Sequence, residues 1–573
     1  MADFDLVIRG GTLVDGSGGE PFAGDIAIDG DRIAALGVVA GRGSEEIDAG
    51  GCIVTPGFVD VHTHYDAQVL WDQQLRPSTG HGVTTVVMGN CAVGVAPCRA
   101  DQRDLLIKVM AGVEDIPEPV MLEGLPWSWE TFPEYLDALA ARECDADFAA
   151  MLPHGPLRVY VMGQRGADRE PASAAELAQM SRIVGEALEA GAIGFSTSRT
   201  LIHRTVDGAL APAETASEEE LMVIARAMRA AGKGVIEYIA DFPGLTLGTT
   251  TDFDLMSRFA ETADAPLSFT LVEGPAYPEG WRTLLKLVEA ANAAGVRLKG
   301  QVAARAVGLT FGLDLSFNPF SFRPGYREIA HLPLAERVAR MRDPQLRARI
   351  LAEADENPDR SIGGMGRMVE QMFRLGDPPD YEPPPRQRFS SRAAALGVSA
   401  DAVAYDELLG DEGRALLYLP VANYRLGSLD QALEMMRHPL TVVALGDGGA
   451  HYGLICDATY PTFALTHWVR DRVGERLPLA WMVRALTRTP AESVGLLDRG
   501  LLAPGLKADV NVIDFARLSL GAPKVVYDLP SRGRRMLQPA RGYLATLVSG
   551  QATRRDDQST GVFPGRLVRG QRS

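Results

Sequence analysis

The chain has 573 residues, 46% hydrophobic and 23% charged, which supplies enough apolar material for a large core and excludes a wholly disordered polymer. Its formal charge of −17 leaves no basic excess to displace counterions from a phosphate backbone, so nucleic acid is excluded as a general partner and Arg532, Arg534 and Arg535 read as a solvated loop. There is no apolar run of about eighteen residues to span a membrane, no basic start and apolar core at Met1-Ala2-Asp3-Phe4-Asp5, and no regular spacing among Cys52, Cys91, Cys98, Cys144 and Cys456; a cytoplasmic protein with reduced thiols is predicted.

The first segment alternates Leu6, Ile8, Leu13 and Val14, then Ile26, Ile28 and Ile33, around turns at Gly10-Gly11, Gly16 and Asp29-Gly30-Asp31, the pattern of short antiparallel strands. Eight strand candidates follow, near residues 53–61, 83–88, 147–153, 191–196, 234–239, 266–272, 296–302 and 440–446, each trailed by enough chain for a crossover helix. Ser173 with Glu176, and Ser217 with Glu220, form capping boxes ahead of helically spaced apolar residues. Such alternation predicts an α/β fold, a parallel (β/α)8 barrel of the TIM type over residues 56–494. More than a hundred residues separate the seventh candidate strand from the eighth. They form an insertion at about 304–438 on the barrel's catalytic face, a lid or a contact to a second subunit of a homo-oligomer, and Asp377–Pro385 is a stiff surface loop within it. Strand texture returns in Ala508–Asp514 and Leu544–Gly550, so residues 1–55 and 495–573 are expected to build one small β domain from both chain ends.

Chemistry-bearing residues fall where a barrel collects function, at the C-terminal ends of its strands. His62 and His64 close the first candidate strand, and residues i and i+2 of an extended segment point the same way, so both imidazoles suit one divalent metal. Cys91 follows the second strand and offers a thiolate. His154 ends the third, Glu237 lies in the fifth and Asp447 ends the eighth, all directed at one mouth.

The run Thr55-Pro56-Gly57-Phe58-Val59-Asp60-Val61-His62-Thr63-His64-Tyr65-Asp66 resembles the first-strand signature of the amidohydrolase superfamily. Gly82–Val86 with Gly89-Asn90-Cys91, His154-Gly155-Pro156-Leu157-Arg158, Gly194-Phe195-Ser196-Thr197 and Pro564-Gly565-Arg566 are similar to the N-acyl-D-amino-acid deacylase (D-aminoacylase) branch. Pro504–Asp509 resembles the return into that family's β-sandwich. The resemblance implies a metal-assisted hydrolase, with one or two zinc ions or another divalent metal, that cleaves N-acyl amino acids, D-configured in this branch. It places His62, His64 and Cys91 at ligand positions and Asp447 at the catalytic aspartate.

The branch usually carries histidines at the ends of strands five and six, where this chain has Val235-Ile236-Glu237-Tyr238 and Ser268-Phe269-Thr270-Leu271. One metal held by a subset of His62, His64, Cys91, Glu237 and Asp447 is therefore expected, Glu237 replacing a missing imidazole. For a substrate carboxylate, Arg199 is the first candidate clamp, followed by Arg158 and Lys299, while His154, His203 and His451 are placed to orient substrate or carry protons. Two further readings stay open: hydrolysis of a cyclic amide, a peptide or another small acylated amine at the same site, and a catalytically degenerate barrel that only binds.

Overall fold

A computed structural model describes residues 2–243, 245, 248–274, 277–356 and 362–570. Eight parallel strands form one sheet in sequential order: Phe58–Asp60, Val83–Met88, Asp147–Pro153, Gly194–Arg199, Val235–Ala240, Leu267–Thr270, Leu298–Val302 and Thr441–Val443. The first and last edges meet just beyond the ladder. His64 N donates to Gly448 O at 2.7 Å, Asp447 N donates to His62 O at 3.0 Å, and Thr63 bridges Gly448. The barrel is thus stitched shut by the two loops that carry His62, His64 and Asp447. Val59, Val61, Val87, Ala149, Met151, Val235 and Ala444 share one buried cluster with Ala491, Val494 and Leu496.

The first apolar run is divided between two sheets. Ile53–Pro56 pairs with Val510–Ile513, and only Phe58–Asp60 enters the barrel. Gly57 is the pivot, because a Cβ there would lie 2.1 Å from Thr84 Oγ1. The neighbouring nine-stranded sheet draws Phe4–Leu13, Phe22–Asp29, Arg32–Gly37, Gly43–Asp48 and Ile53–Pro56 from one end of the chain and Val510–Ile513, Tyr543–Val548, Gln551–Arg555 and Gln558–Ser559 from the other.

Helix Ala174–Ala190 starts with the full Ser173–Glu176 capping box. Helix Glu218–Ala231 starts with half of one: Ser217 caps the Glu220 N–H, but the Glu220 carboxylate turns to His154 and Arg158. A buried cation draws that carboxylate more strongly than an exposed backbone N–H.

Between strands seven and eight, Val307–Phe311, Phe373–Leu375 and Leu416–Ala422 form an antiparallel sheet with its own core of Phe311, Phe320, Met341, Tyr405 and Leu417. Helix Asp430–Arg437 instead packs Leu433 and Met436 into the main core. The Asp377–Pro385 stretch is anchored rather than a free surface loop. Tyr381 is buried against Arg305 and Phe463, and the Glu382 carboxylate accepts bonds from Arg472 and His467. All five cysteines are buried and unpaired, and among the described residues no helix is long and apolar enough to cross a membrane.

Candidate active site

His62 and His64 lie past the last paired residue of their strand, yet the backbone stays extended because Thr63 N donates to Val87 O at 3.0 Å and its hydroxyl to the same oxygen at 2.8 Å. Both imidazoles consequently reach one point: Nε2 of His62 and of His64 lie 3.4 and 3.6 Å from Asp447 Oδ1. Cys91 Sγ is 3.3 Å from His62 Nε2. His62, His64 and Cys91 offer three donor atoms within 4.8 Å of one another.

The loops that deliver these groups are strained. Cys91 and Asp447 have φ of 56° and 49°, in the left-handed region, as do Ala92, Leu445 and His451. Gly89, with φ 85°, precedes Cys91, and a Cβ there would stand 2.5 Å from Met151 O. Asn90 pins the turn by donating to Thr63 O and Val87 O. Glu237 Oε2 accepts the Cys91 N–H at 2.9 Å, and Oε1, 4.0 Å from His62 Nδ1, is buried without a hydrogen-bond partner.

Two residues with no motif around them complete the surroundings. His62 Nδ1 donates to Gln301 Oε1 at 2.7 Å, which leaves its Nε2 lone pair free, and Gln301 donates in turn to Ser268 Oγ. Glu114, 1% exposed, follows helix Arg103–Val113 and approaches both His64 Nδ1 and His451 Nε2 at 3.5 Å. Gln301 was within reach of sequence reasoning, as a polar side chain near the C-terminal end of a barrel strand. Glu114 carried no such signal, being one acid among several around an ordinary amphipathic helix.

The charges at this mouth are mutually adjusted. Burial pushes Glu237 up to about 8 and Glu114 up to about 7. It also raises the Cys91 thiol, with help from the Glu237 carboxylate. Burial holds His62 at about 4 and His451 at about 4 against the pull of Asp447, and lowers His203 to about 3 with help from His64. For His64 burial acts downward, but Glu114 and Asp447 outweigh it and carry the imidazole to about 9. Burial likewise opposes ionisation of Asp447, and His64 and His62 overcome it, holding the carboxyl well below its usual range. Buried acids of this density, two of them with an orphaned oxygen, Glu237 Oε1 and Glu114 Oε2, are the surroundings that a divalent cation would relieve.

The remaining candidates divide. His203 and His451 face the site: His203 Nδ1 meets Ser198 Oγ at 2.9 Å, and the His451 ring centroid is 6.5 Å from that of His64. His154 and Arg158 do not present free groups. His154 is held between Thr197 Oγ1 at 2.9 Å and Glu220 Oε1 at 2.8 Å, and Arg158 Nη1 donates to both oxygens of Glu220. Arg199 shares a strand face with Thr197 and donates to Ala216 O at 2.6 Å, toward the helix layer. Lys299 sits one pleat before Gln301, where Glu492 and Arg484 are the charges acting on it, and burial lowers its pKa. The sequence placed these cations near strand ends, but strand face and height within the barrel direct them elsewhere.

A family model described as the amidohydrolase family matches residues 45–554. The D-aminoacylase of Alcaligenes xylosoxydans xylosoxydans is 36% identical over 232 residues, 40% of this chain and 43% of that protein. The N-acyl-D-aspartate deacylase of the same organism is 40% identical over 199 residues, 34% of this chain and 37% of that protein. The matched segments therefore span less than half the length of these curated relatives. A solved D-aminoacylase structure, described for the role of its binuclear metal centre, superposes with a TM-score of 0.66 at 24% identity, covering 99% of this chain and 100% of that one.

Proposed function

The chain belongs to the amidohydrolase family, and on that premise we propose that it is a metal-dependent hydrolase cleaving the amide bond of N-acyl-D-amino acids to a carboxylate and a free amino acid. The observation that carries this reading is the approach of His62 Nε2, His64 Nε2 and Asp447 Oδ1 to one another, with Cys91 Sγ beside His62. Separations of 3.3, 3.4 and 3.6 Å match those between neighbouring ligands of a tetrahedral ion with bonds of about 2.0–2.3 Å.

His62, His64, Cys91 and Asp447 would hold the ion, and the nitrogen and sulfur donors favour zinc. When bound, it supplies positive charge that polarises the scissile carbonyl and makes water more acidic. Asp447 takes the proton of the attacking water at its carboxylate and returns it to the departing nitrogen. Gln301 keeps the His62 ring turned toward that work. The relative's centre is binuclear; here Glu237 stands at strand five and Ser268, already bonded to Gln301, at strand six, so the reading is one tightly held ion. Metal analysis of the purified protein should find about one zinc per chain. N-acetyl-D-amino acids should be hydrolysed well above their L-enantiomers, and His62→Ala should abolish both metal retention and turnover. Equal rates for the two enantiomers would remove the D-specific part, and full activity in His62→Ala would remove the mechanism.

One observation favours a second substrate class. Arg158 and Arg199 make bonds away from the mouth and Lys299 lies toward the barrel floor, so among the described residues none of the three clamps a substrate carboxylate at the metal ligands. That placement is what a neutral acylated amine, as the second reading, would require of the acid-rich mouth. Comparing an N-acyl-D-amino acid with its carboxamide decides: kcat/KM higher for the carboxamide supports this class, and higher for the free acid rejects it.

A further inference from the structure

Glu114 ends helix Arg103–Val113, and nothing in the chemistry of amide hydrolysis by itself calls for it. Its carboxylate is enclosed, 1% exposed, with Oε1 3.5 Å from His64 Nδ1 and Oε2 3.5 Å from His451 Nε2, ion-pair separations rather than hydrogen bonds, since Glu114 Oε2 and His64 Nδ1 have no hydrogen-bond partner among the described residues. Its carbonyl accepts the His451 N–H at 2.5 Å. Thus one residue touches the first-strand loop with its side chain and the eighth-strand loop with both side chain and backbone.

The next residue explains how it is held. Asp115, with φ 50°, accepts the Ser316 hydroxyl on both carboxylate oxygens at 2.9 Å and the Gly453 N–H at 3.0 Å. Ser316 belongs to the insertion, and Ser316 N donates to Gly453 O. Gly453 admits no side chain there, because a Cβ would meet Ser316 Oγ at 2.2 Å. Glu114-Asp115 therefore joins the first loop, the eighth loop and the insertion in one junction, buried at Glu114 and half-buried at Asp115 and Ser316.

We propose that Glu114 is a positioning residue that fixes the His64 and His451 rings relative to each other through its two carboxylate oxygens, and that Asp115 anchors it to the insertion. The inference builds on the metal-site reading but concerns this chain's own side chains. A ring held from its far nitrogen presents its other nitrogen in one orientation, and loss of such a partner typically weakens metal binding about 10–100-fold.

Two measurements on the full chain test it. By chelator competition, Glu114→Ala should weaken zinc binding about 10–100-fold, and Glu114→Gln, which retains one acceptor oxygen, should lose less. Asp115→Ala should lower affinity in the same direction. Zinc affinity within twofold of wild type in folded Glu114→Ala overturns the proposal, and if Glu114→Ala does not fold, the same result in Glu114→Gln overturns it. In metal-free protein, the His64 and His451 ring resonances, assigned with His64→Gln and His451→Gln, should move in Glu114→Gln while that of His438 stays. Unmoved resonances overturn the proposal whether or not zinc binds, whereas moved resonances in a wild type that binds no zinc support it and reject only the metal reading.

Discussion

Replacing Asp447 by asparagine is expected to lower kcat by about 10²–10⁴-fold, the usual worth of a positioned general base, while leaving the fold intact. The amide keeps the size of the carboxylate but cannot accept the proton that the attacking water must lose. The loop should tolerate the exchange, since asparagine and aspartate both adopt the left-handed backbone found at this position, φ 49°. Asp447 is kept ionised by His64 and His62 in spite of its partial burial, so the proposed base is in its working state across neutral pH. Steady-state kinetics on zinc-loaded Asp447→Asn, with metal content measured alongside, provides the check. A kcat within a factor of about 10 of wild type would assign the proton transfer to another group.

Glu220→Ala should destabilise the protein by about 3–5 kcal/mol, because it strands a buried arginine without its counter-ion. Arg158 and His154 both terminate on that one carboxylate, and all three side chains are 1% exposed or less. Burial alone would raise the Glu220 pKa, but the bonds from His154 and Arg158 outweigh it and lower it from 4.5 to about 2. Because the folded pKa lies below the unfolded one, the stability it adds is complete above about pH 4.5 and is lost as the pH falls toward 2. Urea unfolding at pH 7 and at pH 3 checks both parts: the gap between wild type and Glu220→Ala should be wide at pH 7 and narrower at pH 3. An equal gap at both values would assign the loss to packing instead.

The same residue shows where local reading stops. Ser217 and Glu220 have the spacing of a capping box, and the serine caps as the spacing predicts. The glutamate does not return to the backbone, since helix His154–Met162, far away in the chain, brings a guanidinium to it. The candidate clamps Arg158, Arg199 and Lys299 followed a similar course. Each lies on a barrel strand or just after one, but whether a side chain faces the mouth, the helix layer or the floor depends on strand face and on height in the barrel.

What the amino-acid sequence determined by itself is whatever rests on short spacings: the strand and helix alternation, the glycines that let Cys91 and the eighth-strand loop turn, and the pairing of His62 with His64. These are dictated by backbone sterics and side-chain periodicity within a few residues. Only the tertiary structure decided what surrounds that pair. Gln301 meets His62 across 239 residues of chain, and Cys91 N–H meets Glu237 across 146. Glu114 reaches both His64 and His451 because the barrel closes His64 onto Gly448 and brings the first and eighth loops together. Such meetings are set by barrel closure and by packing of the insertion, which no local pattern encodes. The candidate metal donors were therefore legible as a motif, and the groups packed against them were not.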